Sequence, residues 1–171
     1  MNKRKKIILY IAIFIGVVAL LPERITLPVK GATPADWNAK SFWSEPWGTS
    51  GVHKGIDIFA RKGTDVLSST DGIVVFHGNL PKGGQVVLVL GPCWRLHYFA
   101  HLNSINTAFG SFVRSGEKIG TVGDSGNAKG KPAHLHYAIV RLYPAFWAMD
   151  TTTQGYKKAL FINPDHFLRE Q

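Results

Sequence analysis

Residues 72–90 read GIVVFHGNLPKGGQVVLVL, two apolar runs on either side of a segment rich in glycine. β-Branched residues are frequent in both runs, Gly72–Phe76 and Gln85–Leu90, and such residues favour extended strands over helices. The asparagine, proline and glycines between the runs are typical of a tight turn. The stretch therefore predicts two strands joined by a short connection.

Three further short apolar runs are separated from these two by glycine-containing turns. The additional strand candidates are Trp94–Tyr98, Lys118–Val122 and His134–Val140. Residues 42–141 show no convincing helical periodicity, and several short strands with close turns indicate an antiparallel sheet, sandwich or barrel. We therefore predict a mostly β fold, a compact antiparallel β-sheet domain, with a short helix near the end of the chain.

The composition of the 171-residue chain excludes several classes of protein. With 45% hydrophobic and 12% aromatic residues, the chain is too apolar to be intrinsically disordered, and its length suits one ordinary core. A single cysteine, Cys93, excludes both an internal disulfide framework and a cysteine-rich zinc site. Any metal site must therefore use histidine and carboxylate ligands.

The N-terminus carries a basic cluster, Lys3–Lys6, followed by an apolar run from Ile7 to Leu21. This order is typical of a membrane-targeting segment whose basic flank stays in the cytoplasm. Because no small-x-small cleavage site directly follows the run, we expect residues 1–24 to form a single-pass transmembrane helix. The rest of the chain would then lie on the extracytoplasmic, periplasmic side. The alternative is a cleaved signal peptide and a secreted protein.

Composition and charge divide the remaining chain into a linker and a domain. Residues 25–41 are mixed, contain proline and are predicted to form a linker, whereas residues 42–171 are predicted to form one domain. The net charge is +9, and the N-terminal basic cluster supplies four of these charges. The other positive charges form no stripe, which argues against a nucleic-acid partner and suits an anionic polymer or a membrane surface.

The first of three histidine patterns is His53-Lys54-Gly55-Ile56-Asp57. At this spacing His53 and Asp57 share a face of a helix or of a strand, and Gly55 and the β-branched Ile56 argue against the helix. A histidine and an aspartate are two of the protein ligands that a catalytic zinc ion commonly uses. The alternative is a structural hydrogen bond between the two side chains.

Two later patterns add histidines to the same domain. In His134-Leu135-His136 both imidazoles project from one face of a strand, as two metal ligands, as one ligand and one catalytic group, or as a pair of surface histidines. Alternation also predicts that His97 and His101 share a face, with His97 structural. Together the candidate residues suit zinc with an open water position; they are His53, Asp57, His101, His134 and His136.

The order of these motifs resembles that of the lysostaphin-type zinc metallopeptidases, peptidoglycan endopeptidases with an HxxxD motif and a later HxH motif. The resemblance covers roughly residues 50–141, and several motifs in one order are more specific than any single motif. The matching stretches are HKGIDI (53–58), STDGIV (69–74), YFAHL (98–102), VRSGEKIG (113–120), GDSG (123–126) and HLHY (134–137).

This resemblance implies a role for each of the five candidate residues. His53, Asp57 and His136 would be the ligands of one zinc ion per chain, and His101 and His134 would be catalytic residues that do not bind the metal. It also implies a substrate groove across the β domain and hydrolysis of peptide cross-links in bacterial peptidoglycan by a metal-activated water. Which of the two catalytic histidines acts as the general base stays open.

Two other functions are compatible with this fold. Some proteins of the fold have lost ligands and act as activators or wall-binding proteins, but none of the five positions is substituted here. A zinc amidase on the same polymer, or a protease of secreted proteins, is the second alternative. We therefore predict a zinc metalloendopeptidase of the cell envelope, with peptidoglycan as substrate and the inner membrane as the partner of residues 1–24. A protein regulator is left open.

Overall fold

The computed structural model describes residues 1–169, which form one β-sheet with an α-helix near each end of the chain. Helix α1 spans Lys3–Leu20 and α2 spans Pro164–Leu168. The strands are β1 (Ile56–Phe59), β2 (Asp65–Leu67), β3 (Gly72–Leu80), β4 (Gly84–Leu90), β5 (Arg95–Ile105), β6 (Phe112–Val113), β7 (Lys118–Val122), β8 (His134–Arg141) and β9 (Phe161–Ile162).

All pairings between these strands are antiparallel, which confirms the predicted fold class. The main sheet order is β1-β8-β5-β4-β3-β6, β7 pairs with both β2 and β5, and β9 pairs with β8. The five predicted strands correspond to β3, β4, β5, β7 and β8. The four-residue strand β1 was not among the strand candidates. The shorter strands β2, β6 and β9 were not predicted either, because two or three residues show no measurable alternation.

The connection between β3 and β4 depends on a glycine. Gly84 has φ +63°, in the left-handed region that glycine adopts without strain. A Cβ on Gly84 would also lie 2.4 Å from the backbone nitrogen of Gly126, so the turn and the loop after β7 approach too closely for a side chain. The hairpin therefore fixes the position of a loop that borders the site described below.

The hydrophobic core lies on one face of strands β1, β5 and β8. Ile56, Phe99, Leu135, Tyr137 and Ile139 have no solvent exposure. Full burial of a large apolar side chain contributes about 1.5–3 kcal/mol, so this face fixes the register of the three strands. Because side chains alternate along a strand, the even-numbered residues of β8 are turned to the opposite face.

The segment predicted as a linker packs against the sheet and α2. Val29 is 1% exposed and forms an isolated antiparallel bridge with Val66. The buried indole of Trp37 donates a 2.7 Å hydrogen bond to the carboxylate of Asp165 in α2. Residues 25–41 thus contribute to the core, and the predicted region boundaries stay a prediction.

Helix α1 forms at the N-terminus, but no helix within residues 1–169 is long and apolar enough to cross a membrane. The 18-residue helix begins with the basic cluster Lys3–Lys6. Its apolar part is therefore shorter than the roughly 20 residues that a membrane span requires. The structure therefore does not support the predicted transmembrane helix.

Candidate metal centre

Strand register brings Asp57 and His136 face to face. The two residues are direct partners in the β1–β8 pairing, and such partners share a face with their side chains in contact range. His53 lies three residues before β1 and is 1% exposed. The HxxxD and HxH motifs, which are 79 residues apart from Asp57 to His136, therefore meet because their strands are neighbours.

Three potential ligand atoms converge at this point. Asp57 Oδ1 lies 2.9 Å from Nδ1 of His136 and 3.1 Å from Nε2 of His53, and these two ring nitrogens lie 3.1 Å apart. The Nδ1–H of His53 donates to the carbonyl of Ser41 at 3.1 Å, which leaves the lone pair of its Nε2 for the cluster. Two ring nitrogens and one carboxylate oxygen directed at one point fit a metal cation.

The ionisation state of Asp57 also suits a metal ligand. Burial alone would raise the pKa of its carboxyl, but hydrogen bonds with His136 and His53 and their charges hold that pKa far below its ordinary value. Loss of water around the ring lowers the pKa of His136, against the opposing effect of Asp57. The cluster thus combines an ionised carboxylate with a neutral imidazole, the protonation states that metal binding requires.

Two more histidines lie beside this cluster. Nδ1–H of His134 donates to the carbonyl of Pro132 at 2.8 Å, and Nδ1–H of His101 donates to the carbonyl of Ser125 at 2.9 Å. A carbonyl only accepts, so each neutral ring keeps its Nε2 lone pair for other partners. The two ring centroids are 5.0 Å apart, close enough to act on one substrate.

His101 reaches the site through an unusual backbone conformation. Its φ is +63°, a region that costs a non-glycine residue about 1–3 kcal/mol, and its N–H donates to the carbonyl of Gly83 at 2.8 Å. The prediction that His97 and His101 share a face is wrong for this reason: His97 contacts Tyr137 on the core side, whereas His101 lines the cavity. Burial, followed by the charges of His136 and His134, lowers the pKa of His101 to about 4.

All five candidate residues line one open cavity of about 620 Å³. The cavity lies at the five residues for which the resemblance implied a substrate groove. Its rim is formed by loops that the sequence did not single out, including the indole of Trp47, which stacks on His53 with ring centroids 3.9 Å apart. Trp47 follows no periodic pattern in the sequence. Its closeness to His53 along the chain was the only signal that could have identified it as a cavity residue.

Lysines from three loops also line the cavity: Lys54, Lys82 and Lys131. Burial and then the nearby charges of Lys157 and Lys82 lower the pKa of Lys54. The sequence analysis missed these residues because isolated lysines in loops are common, and only the folded chain shows that they border one space.

Residues 51–147, more than half of the chain, match the sequence model of "Peptidase family M23". The chain belongs to peptidase family M23. This confirms the predicted family, and the five candidate residues that line the cavity lie in three of its motifs, HKGIDI, YFAHL and HLHY.

The curated relatives of this M23 chain include two proteins named as endopeptidases and one named as a murein hydrolase activator. It is 34% identical over 135 residues to the L-Ala--D-Glu endopeptidase of Bacillus subtilis, covering 74% of this chain and 40% of the relative. It is 40% identical over 86 residues to the DD-carboxypeptidase/endopeptidase Mpg of Neisseria meningitidis, covering 50% and 19%. It is 31% identical over 105 residues to the murein hydrolase activator NlpD of Escherichia coli, covering 60% and 27%. The chain spans less than half the length of these relatives.

Solved M23-like structures share the fold. A putative glycyl-glycine endopeptidase LytM from Ruminococcus gnavus is 26% identical, with a TM-score of 0.67 over 94% of this chain and 65% of that chain. The catalytic domain of lysostaphin from Staphylococcus simulans is 24% identical, with a TM-score of 0.59 over 75% and 89%. The second similarity supports the fold alone.

Proposed function

We propose that this M23 protein is a zinc-dependent endopeptidase that hydrolyses peptide cross-links of bacterial peptidoglycan. The convergence of His53, Asp57 and His136 with two further histidines in one open cavity carries this proposal. The names of its relatives support peptide bonds of the cell wall as the target.

The proposed zinc ligands are His53 Nε2, Asp57 Oδ1 and His136 Nδ1. This set of two imidazoles and one carboxylate is one that zinc uses in hydrolases, and His53 is oriented for it by the carbonyl of Ser41. When bound, the ion would polarise the scissile carbonyl and lower the pKa of a water molecule towards neutrality.

His101 and His134 supply the proton transfers in this proposal. Each ring is held by a hydrogen bond from Nδ1 to a backbone carbonyl, so each Nε2 can accept or donate a proton at the cavity. One ring accepts the proton of the attacking water at its Nε2 and passes it to the leaving amine, and the other, when protonated at Nε2, donates a hydrogen bond to the oxyanion. The near symmetry of the two hydrogen bonds leaves both assignments open.

We further propose that the domain works in the cell envelope, on the extracytoplasmic side of the cytoplasmic membrane. The basic cluster followed by the apolar residues of α1 is typical of a segment that directs export. Export would place the cavity on the side where peptidoglycan lies.

The experiment is zinc analysis and wall digestion with the full chain, beside variants. We expect the wild type to bind one zinc and release peptides with new amino termini inside the stem peptide. His136→Ala should lose both the metal and activity, whereas His134→Ala should keep the metal and lose activity. The exposed His77 offers a matched control, and His77→Ala should behave like the wild type.

The relatives also define two competing outcomes. Release of lactyl-linked peptide would overturn the endopeptidase in favour of an amidase. Tight zinc binding with no release from any wall preparation would favour a non-catalytic function of the kind that the name of NlpD describes.

A further inference from the structure

The cavity carries a positive rim that the proposed chemistry does not use. Lys54 lies in the loop before β1, Lys82 in the turn between β3 and β4, and Lys131 in the loop between β7 and β8. Three separate parts of the chain therefore place lysines around one space that contains the candidate metal centre.

Within residues 1–169 these ammonium groups have no carboxylate partner. Lys54 Nζ donates only to the carbonyls of Ser50 and Val52, at 3.0 and 3.4 Å, and the Nζ atoms of Lys82 and Lys131 have neither a salt bridge nor a hydrogen bond to a described residue. Four lysines elsewhere are paired with carboxylates, as the 2.7 Å pair of Lys62 with Asp124 shows. The rim thus presents cations whose counter-charge the described protein does not supply.

The cavity wall contains almost no acidic residues to balance these lysines. Asp57 is the one carboxylate among the described lining residues, and it belongs to the candidate metal cluster. A cleft lined by one sign of charge focuses the field and concentrates ligands of the opposite sign. The anionic groups that balance the rim must therefore come from outside the described chain.

We infer that the cavity selects peptides that carry free carboxylate groups near the scissile bond, over peptides whose carboxylates are amidated or absent, such as oligoglycine. This inference rests on the proposed function, and it specifies the class of wall peptide. Because the three lysines lie in different loops, carboxylates at different positions of a peptide can pair with different lysines.

The direct test is peptide affinity, measured with zinc-loaded His134→Ala protein so that the peptide stays intact. The probes are an L-alanyl-D-glutamyl peptide with free carboxylates, its amide of the same size, and a glycine peptide of the same length. We expect the free acid to bind about tenfold more tightly than the amide at low salt, and the difference to shrink when salt screens the charges.

Lysine variants locate the effect. Lys54→Met, Lys82→Met and Lys131→Met should each weaken binding of the acid about two- to fivefold, the size expected for partly exposed ion pairs, and should leave binding of the amide unchanged. Arginine at each position should restore most of the affinity. The exposed Lys40 lies outside the cavity, so Lys40→Met is the matched control.

The measurements of peptide binding and of wall cleavage test this inference and the proposed function independently. Equal affinity for acid and amide, or lysine variants that weaken both equally, would overturn this inference even if the wild type digests wall. Selective binding of the acid by a protein that cleaves no peptide would overturn the proposed function and leave the selectivity in place.

Discussion

Strands β5 and β8 carry a polar cluster on each face, both clusters contain histidine, and they differ in where their polar atoms find partners. On the cavity face, His136 belongs to the candidate metal centre. On the core face, the next residue, Tyr137, contacts His97 and Ser69. One step along β8 thus separates an open site from a closed network.

The core-face network is fully paired. Glu23 accepts from Nε2 of His97 at 2.7 Å and from Arg95, and Nδ1 of His97 lies 2.7 Å from the hydroxyl of Tyr137. Ser69 Oγ lies 2.6 Å from the same hydroxyl. His97 has no solvent exposure, and the side chain of Glu23 is 3% exposed.

The contrast teaches that residue type does not decide function here. His97 has each ring nitrogen within hydrogen-bonding distance of a protein atom, so it stabilises the fold and has no atom available for a substrate. On the cavity face, Nε2 of His101 and Nε2 of His134 have no hydrogen-bond partner among the described residues, and ring nitrogens of His53 and His136 meet at the candidate metal centre. Four variants test this difference between the two faces, and the variant with the largest expected effect comes first.

Asp57→Asn should abolish the chemistry of the open site. Removal of the negative charge leaves two imidazoles to hold the cation, and we expect metal affinity and wall hydrolysis both to fall more than about 100-fold. Metal analysis and release of peptides measure the two losses. Full activity with a normal metal content would contradict the assigned ligand set.

His101→Ala should lower activity about 100-fold or more while the metal stays bound, because it removes a group that exchanges protons with the substrate or water. The comparison of kcat with bound zinc checks this. Loss of metal in parallel with activity would assign His101 to the ligands instead.

His97→Ala should act on stability alone. It leaves the buried carboxylate of Glu23 without one of its hydrogen-bond partners, so we expect the free energy of unfolding to fall by about 2 kcal/mol. Urea unfolding measures that loss, and zinc content should remain at the wild-type value. A variant as stable as the wild type but poor in zinc would place His97 in the metal site.

The core-face network should also make the stability of the protein depend on pH. Burial alone would raise the pKa of Glu23, but the hydrogen bond and charge of His97 and the charge of Arg95 lower it below its ordinary value of 4.5. The unfolded chain therefore binds the proton more readily, so this stabilisation is present above pH 4.5 and is lost as the pH falls through the lower folded pKa.

Glu23→Gln should remove that contribution. Its free energy of unfolding should decrease less steeply than that of the wild type below pH 4.5, which parallel urea titrations at several pH values would show. Identical slopes would mean that the Glu23 network contributes nothing to acid sensitivity.

The sequence predicted those parts of the fold that follow local rules. Neighbours along the chain determine the apolar runs of β3 and β4 and the period of two in His134-Leu135-His136. The family motifs then grouped His53, Asp57 and His136 as one set of ligands. Register was not visible, yet the facing of Asp57 and His136 depends on it.

What the sequence could not predict depends on tertiary contacts. The positive φ of His101 reverses the alternation of β5, and only the folded chain shows the contacts with Gly83 and Ser125 that hold it. Glu23 is an ordinary acidic residue until it pairs with His97, 74 positions away. The lysine rim is equally invisible, since its members share no spacing.

The site divides between rigid and replaceable parts of the chain. Asp57 and His136 lie on paired strands, whereas Lys82 and Lys131 lie in connections between strands. A loop can be lengthened or exchanged without a shift of strand register, so preference for a new wall peptide can arise while the hydrolytic centre stays intact. This separation makes the domain a practical scaffold for grafting loops that direct it to walls of different composition.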